Sequence, residues 1–160
     1  MGSDKVLSIK SNILWSSIGS IIGLSCQWLI SVLVVRLSFG FSDAGLYSLS
    51  MSVYGIFFPI AQYRMYTYQV SDVNGENTVG EYLSFRLLTI LLSLVLTFAY
   101  SLFTCRPVSV FCIFLYGLYK SANQLIDVLH AADQQFSRMD YVGVSLALQG
   151  ALSLVFFCVA

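Results

Sequence analysis

Charge is scarce in this chain. Only 10% of its 160 residues are Asp, Glu, Lys or Arg, against about 25% in soluble domains. With 58% of positions hydrophobic, there is too little polar side chain to cover a water-facing surface, and the class is integral membrane protein. The 8 basic and 8 acidic residues cancel, so no basic patch suggests a nucleic-acid partner. The single histidine, His130, and four cysteines without CxxC spacing offer no metal-ligand set. The cysteines (Cys26, Cys105, Cys112, Cys158) read as small packed hydrophobes. A Gly-rich phosphate loop, HExxH and GxSxG are all missing. The chain therefore reads as a non-enzyme with no cofactor and no catalytic residue.

What is present is apolar sequence in long runs. A barrel strand alternates over about 10 residues, whereas "LLTILLSLVLTFAYSLF" does not alternate and is far longer. A spanning helix needs about 20 apolar residues, and five segments qualify. Helices are predicted over about 11–36, 44–68, 82–104, 107–130 and 140–160, giving an all-α integral membrane protein with five transmembrane helices. The first run is too long for a signal peptide and lacks a cleavage site after it. Pro107 is placed to open the fourth helix. Asp43 and Asp140 suit N-caps or acidic first turns of the second and fifth. Pro59 interrupts the hydrogen-bond ladder of the second helix, where a kink is expected. His130 falls at a helix end, in a solvated or capping role. Asp72, Glu76 and Glu81 fall in a polar connection and read as solvated. Lys5, Lys10, Arg64, Arg86 and Arg138 lie on one side of the predicted membrane, against Arg36 and Arg106 on the other. The positive-inside rule then puts the N-terminus in the cytoplasm.

Each segment carries one polar stripe at helical spacing. In the first it is Ser16, Ser20, Gly23, Gln27 and Ser31; in the second, Ser48, Ser52, Gly55, Pro59 and Gln62; in the third, Arg86, Ser93, Thr97, Tyr100 and Thr104. The fourth stripe is Tyr116, Lys120, Asn123, Gln124 and Asp127, and the fifth is Gly143, Ala147 and Gly150. Small residues let helices approach closely, and Gly19 with Gly23 forms a GxxxG, so the first and fifth stripes read as packing surfaces, with a cavity lined by all the polar faces as the alternative. Ionisable residues inside a span usually face a bundle interior or an aqueous path. The substrate-path candidates are therefore Lys120, Arg64, Arg86, Gln124, Asn123, Asp127 and Gln27. Lys120 lies 13 residues beyond Pro107, roughly 20 Å into the membrane. It reads as a cavity cation, with a locally paired charge and a snorkelling one as alternatives. Asp127 sits nearer the boundary, about 10 Å further along the axis, with Gln124 between them as a bridge.

Three stretches carry a resemblance. They are "SNILWSSIGSIIGLSCQWLISVLVVRLSFGFSDAGLYSLSMSV", then "YRMYTYQVSDV" with "GEYLSFRLLT", then "ADQQFSRMDYVGVSLALQGALSL". In that order and spacing the chain resembles the N-terminal part of the polysaccharide transporter family, the Wzx-type O-antigen and capsule flippases of the MATE-like superfamily. The resemblance implies a two-lobed transporter, with these helices forming part of the N-terminal lobe around a central cavity. It also implies a bacterial cytoplasmic (inner) membrane location and translocation of an undecaprenyl-diphosphate-linked oligosaccharide. The partners it implies are the lipid bilayer, that oligosaccharide, a polysaccharide polymerase and the remaining transporter helices. Five spans that stop in an apolar run at Ala160 are expected to be a portion of such a transporter. A drug or metabolite antiporter of the same superfamily and a non-transporting membrane remnant are the alternatives.

Overall fold

A computed structural model describes residues 8–38, 40–72 and 75–159. Lys5, one of the basic residues in the orientation tally, lies outside them. The helices are α1 (Ile9–Leu37), α2 (Phe41–Gln62), α3 (Met65–Ser71), α4 (Val79–Thr104), α5 (Pro107–Gln135) and α6 (Met139–Val159). The described residues contain no strand, and the protein is an all-α membrane protein. Four segments are long and apolar enough to cross a membrane: Ile9–Leu37, Ser42–Ser71, Val79–Thr104 and Met139–Val159. The sequence reading expected five. α5 is long enough, but Lys120, Asn123, Gln124, Asp127 and His130 crowd its second half, and it falls short of the hydropathy the others reach.

α4 shows most directly why these helices belong in lipid. Its buried side includes Arg86, Thr89, Ser93, Thr97 and Ser101. Its exposed side includes Leu88, Leu91, Leu92, Val95 and Leu102. A soluble helix turns its apolar stripe inward; this one turns it outward, which is stable only where the surroundings are hydrocarbon. The polar side chains find acceptors inside. Thr97 donates to the Ser93 carbonyl at 2.7 Å, and Ser93 donates across to the Phe57 carbonyl of α2 at 3.0 Å.

Several helix ends differ from the sequence reading. α5 runs past residue 130 to Gln135, so His130 is buried rather than solvated. Of the two roles expected for Asp43, the acidic first turn of α2 holds and the N-cap does not, the position before the helix being Gly40 with no side-chain cap. Asp140 likewise lies in the first turn of α6, ion-paired to Arg138 at 3.0 Å. α2 runs through Pro59 and ends at Gln62. The break comes one turn later, at Tyr63 and Arg64, both in the left-handed region at φ 38° and 48°.

The chain divides into two compact units. One comprises the described part of Met1–Leu37 together with Ala132–Ala160. Its core is a backbone-to-backbone seam between α1 and α6. A Cβ on Gly19 would lie 2.2 Å from the Gly143 carbonyl oxygen, and one on Gly150 would lie 2.8 Å from the Gly23 Cα. The small-residue stripes of these two helices are therefore a packing surface. Asn12 ties the start of α1 to the start of α6. Its Oδ1 accepts from the Met139 N–H at 3.1 Å, and its Nδ2 donates to the Ser137 carbonyl at 3.0 Å. The second unit, Ser38–Ala131, contains α2, α3, α4 and most of α5.

Replacing Gly143 by Ala should force α1 and α6 apart, because the new methyl would sit 2.3 Å from the Trp15 carbonyl oxygen. Overpacking of this kind costs about 1–3 kcal/mol. Gly40→Ala, with nothing within 4 Å of the added carbon, is the control. Equal thermal midpoints for the two variants in detergent would rule the seam out.

Candidate functional site

The last carbonyls of a helix have no partner within it, and in a membrane water does not supply one. α2 ends in this position. Arg86, fully buried on α4, answers it: its Nη1 donates to the Ala61 carbonyl at 3.0 Å and the Gln62 carbonyl at 2.7 Å. Thr89 donates to the same Ala61 carbonyl at 3.1 Å. A cation at a helix C-terminus also meets the negative end of its dipole. Gln124 of α5 completes the group, its Oε1 accepting from Arg86 Nη1 at 3.4 Å. The other guanidinium nitrogens, Nε and Nη2, are buried without a hydrogen-bond partner. Asp127 is an electrostatic neighbour of this guanidinium.

Two cavities open around the joint between α2 and α3. The polar one, about 400 Å³, is lined by Gln62, Arg64, Tyr66, Thr67 and Asp127. The aromatic one, about 560 Å³, has Tyr63, Tyr68, Tyr82 and Phe85 as walls. Arg64, Met65, Asn77 and Glu81 complete it. Arg64 lines both. Left-handed backbone at a non-glycine residue costs roughly 1–2 kcal/mol, and two successive residues carry it here. This left-handed pair turns the chain at Tyr63–Arg64 and sets both residues on cavity walls.

The sequence-predicted residues separate accordingly. Arg64 and Asp127 meet at the polar cavity, and Arg86 and Gln124 lie together in the buried network that holds α2. Gln124 thus engages Arg86. Lys120 is half-buried, with Nζ 5.7 Å from the Tyr116 ring centroid and 5.6 Å from that of Tyr119. These are cation–π distances. It lines neither of the two cavities, and no carboxylate pairs with it among the described residues. Asn123 is half-buried on the same helix. Gln27 belongs to the α1–α6 unit, where its carbonyl accepts from Ser31. Pro59 is exposed on α2, and its carbonyl accepts the Tyr63 N–H that closes the helix.

Two of the acids read as solvated, Asp72 and Glu81, have structural work. Asp72 accepts from the Tyr82 hydroxyl at 2.6 Å and from the backbone N–H groups of Glu76 and Asn77. Glu81 forms a capping box with Thr78. The T-x-x-E spelling of residues 78–81 is the sequence signature of that box. The Tyr82 bond, then the Glu76 N–H, hold the Asp72 carboxyl below its ordinary range. Buried Gln69, which the sequence reading passed over, donates to the Val128 carbonyl at 3.1 Å and fastens α3 to α5.

Comparison with known proteins finds no matching family model, no matching curated protein and no matching solved structure.

Two outcomes follow from this geometry. Arg86→Met strips the end of α2 of its cation and should lower stability by about 2 kcal/mol, since a hydrogen bond from a charged donor is worth roughly 1.5–3. Lys120→Met removes only ring contacts and should cost under about 1 kcal/mol. Equal denaturation midpoints for the two would contradict the anchoring role. Separately, a carboxyl lowered on folding stabilises the fold above its unfolded pKa, and that contribution disappears as pH falls through the folded value. Amide exchange at Glu76 and Asn77 should therefore accelerate as pH drops below about 4, after correction for intrinsic exchange. Asp72→Asn should remove that pH step; a step that persists would assign it to another group.

Proposed function

We propose that this chain forms part of a flippase that carries an undecaprenyl-diphosphate-linked oligosaccharide (an O-antigen, capsule or exopolysaccharide repeat) across the bacterial cytoplasmic membrane. The observation that carries the reading is the polar cavity. Arg64 stands on its wall, and Arg86 is the electrostatic neighbour of its Asp127. Arg86 does not line the cavity, but its charge offsets that of Asp127, which leaves Arg64 as the guanidinium on the wall that can meet an anion. Arginine presents a planar fork that matches phosphate oxygens. The unfilled donors of Arg86 and Lys120 of α5, which meets two tyrosine rings and no carboxylate among the described residues, add cationic character to the same unit.

The finer architecture belongs to this proposal. α5 serves as a fifth span whose polar side faces the transport path, and these helices contribute to the N-terminal lobe of a two-lobed MATE-like transporter. With Lys10, Arg64, Arg86 and Arg138 on the cytoplasmic side, the α2–α3 joint is the cytoplasmic mouth. Transport by alternating access requires binding and re-exposure of the lipid-linked sugar, with no covalent chemistry, so the protein is not an enzyme in this reading. The remaining helices of the transporter and a polysaccharide polymerase are its partners.

Asp127 favours a second reading. It lines the polar cavity, where a drug or metabolite antiporter would want a carboxylate for ion coupling.

The test is complementation of a strain deleted for the gene encoding this chain, scored by surface polysaccharide. Arg64→Gln should reduce export about tenfold or more, the worth of one lost charge-assisted contact, and Arg64→Lys should retain part of it. Lys120→Ala and Lys120→Arg should behave in the same order. Full export by Arg64→Gln would sink the phosphate-binding role. Loss of drug resistance in Asp127→Asn with polysaccharide intact would establish the antiporter instead.

A further inference from the structure

The aromatic cavity is not needed by the anchoring of α2, and its chemistry differs from that of its polar neighbour. Two ring pairs form its walls: Tyr63 with Phe85, centroids 5.5 Å apart, and Tyr68 with Tyr82, 6.3 Å apart. Tyr63 and Tyr68 are about two-thirds exposed, although large aromatic faces gain most from burial. Tyr82 is held in one orientation, since its hydroxyl donates to Asp72 and accepts from the Asn77 amide at 3.4 Å. At about 560 Å³ the space falls within the range of about 300–1,000 Å³ usual for ligand pockets. Its polar edge is mixed. Arg64 supplies a guanidinium free of ion pairs among the described residues. Glu81 commits Oε2 to Thr78. One positive and one negative group in the same wall favour a neutral ligand rich in hydroxyls over one of net charge.

We infer that this cavity is a carbohydrate site, which grips a pyranose ring between its aromatic faces and reads the ring hydroxyls with Arg64, Asn77 and Glu81. The C–H face of a pyranose is apolar and flat enough to lie on a tyrosine ring, while its equatorial hydroxyls point outward to planar side chains. The inference rests on the flippase reading for its biological sense, because Arg64 is shared. A ligand whose phosphate lies in the polar cavity would pass its first sugars over Arg64 into the aromatic one. The two cavities then match the order of groups in a lipid-linked sugar, anionic linker first and glycan second.

The experiment is saturation-transfer NMR on the whole protein in lipid nanodiscs, with the methyl glycosides of glucose, galactose and N-acetylglucosamine as probes. Transfer to the ring protons of at least one glycoside is expected. Tyr68→Ala should weaken it about fivefold or more, and Tyr68→Phe, which keeps the ring face, should retain most of it. Phe85→Ala provides a second variant, and matched thermal midpoints exclude misfolding. Absent transfer, or transfer equal in wild type and both alanine variants, would overturn the site. Phosphocholine that binds where no glycoside does would make the cavity a lipid-headgroup cleft, and so also overturn it. Sugar binding that persists while Arg64→Gln exports normally would remove the transport reading and leave the site standing. Loss of export in Arg64→Gln with no sugar binding would do the reverse.

Discussion

A helix that ends inside a low-dielectric medium must bring a donor to its last carbonyls, and in this protein that donor is Arg86. Water satisfies the orphan groups of an ordinary helix end; hydrocarbon does not, and each group left bare costs several kcal/mol. Once one guanidinium nitrogen holds both Ala61 and Gln62, much else is determined. The register of α2 against α4 is fixed, because Thr89 and Ser93 must then meet the Ala61 and Phe57 carbonyls. The chain leaving α2 must turn at once, and it does so through two residues in left-handed backbone. Those same two residues, Tyr63 and Arg64, become walls of the neighbouring cavities. A stability requirement and a binding surface thus share one stretch of backbone.

The inside-out distribution on α4 extends the same logic along its length. Hydroxyls that would be neutral on a water-facing helix are buried here and paired to carbonyls, while leucines that would form a soluble core face outward. Such a helix derives little from apolar burial against its neighbours, since lipid tails are as apolar as leucine. Its association with α2 depends on hydrogen bonds and close fit. α5 follows a different rule. It meets α2 and α4 through long side chains, Tyr116 against Tyr54 and Gln124 against Arg86, and this looser approach leaves room for the polar cavity beside Asp127.

Periodic features were legible in the sequence and pairwise ones were not. Apolar runs marked four of the five expected spans to within a few residues, because length and hydropathy follow directly from bilayer thickness. The polar stripe of α4 appeared at the right spacing, since Arg86, Ser93 and Thr97 recur at helical period. The glycine stripes of α1 and α6 likewise pointed to packing. What that stripe could not reveal is its acceptor: a buried arginine reads equally well as a channel cation or as a clamp on another helix, and the α2 carbonyls lie 24 and 25 residues away. Asn12 is harder still, as its partners Ser137 and Met139 come 125 and 127 residues later. The predicted end of α5 at residue 130 falls short because Asp133, Gln134 and Gln135 beyond it read as a polar connection. Here they are the last turn of a helix that continues to Gln135. The capping box at Thr78 and Glu81 was local and spelled out, and was missed only because the acids nearby were read together as a solvated loop.

The seam between α1 and α6 has an evolutionary consequence. Gly19 faces Gly143, and Gly23 faces Gly150, so both sides of each contact already carry the smallest residue there is. In a layer of leucines against alanines, a gain of volume on one helix can be answered by a loss on the other. No such compensation exists when neither partner has a side chain to give up. Sequence drift at these four positions can only widen the gap between the helices, and it does so irreversibly until a reversion occurs. The surrounding leucines and valines are free to interchange, whereas the glycines should behave as a ratchet. In divergent copies of this gene the distance between the two helices would then record how many of the four have been lost.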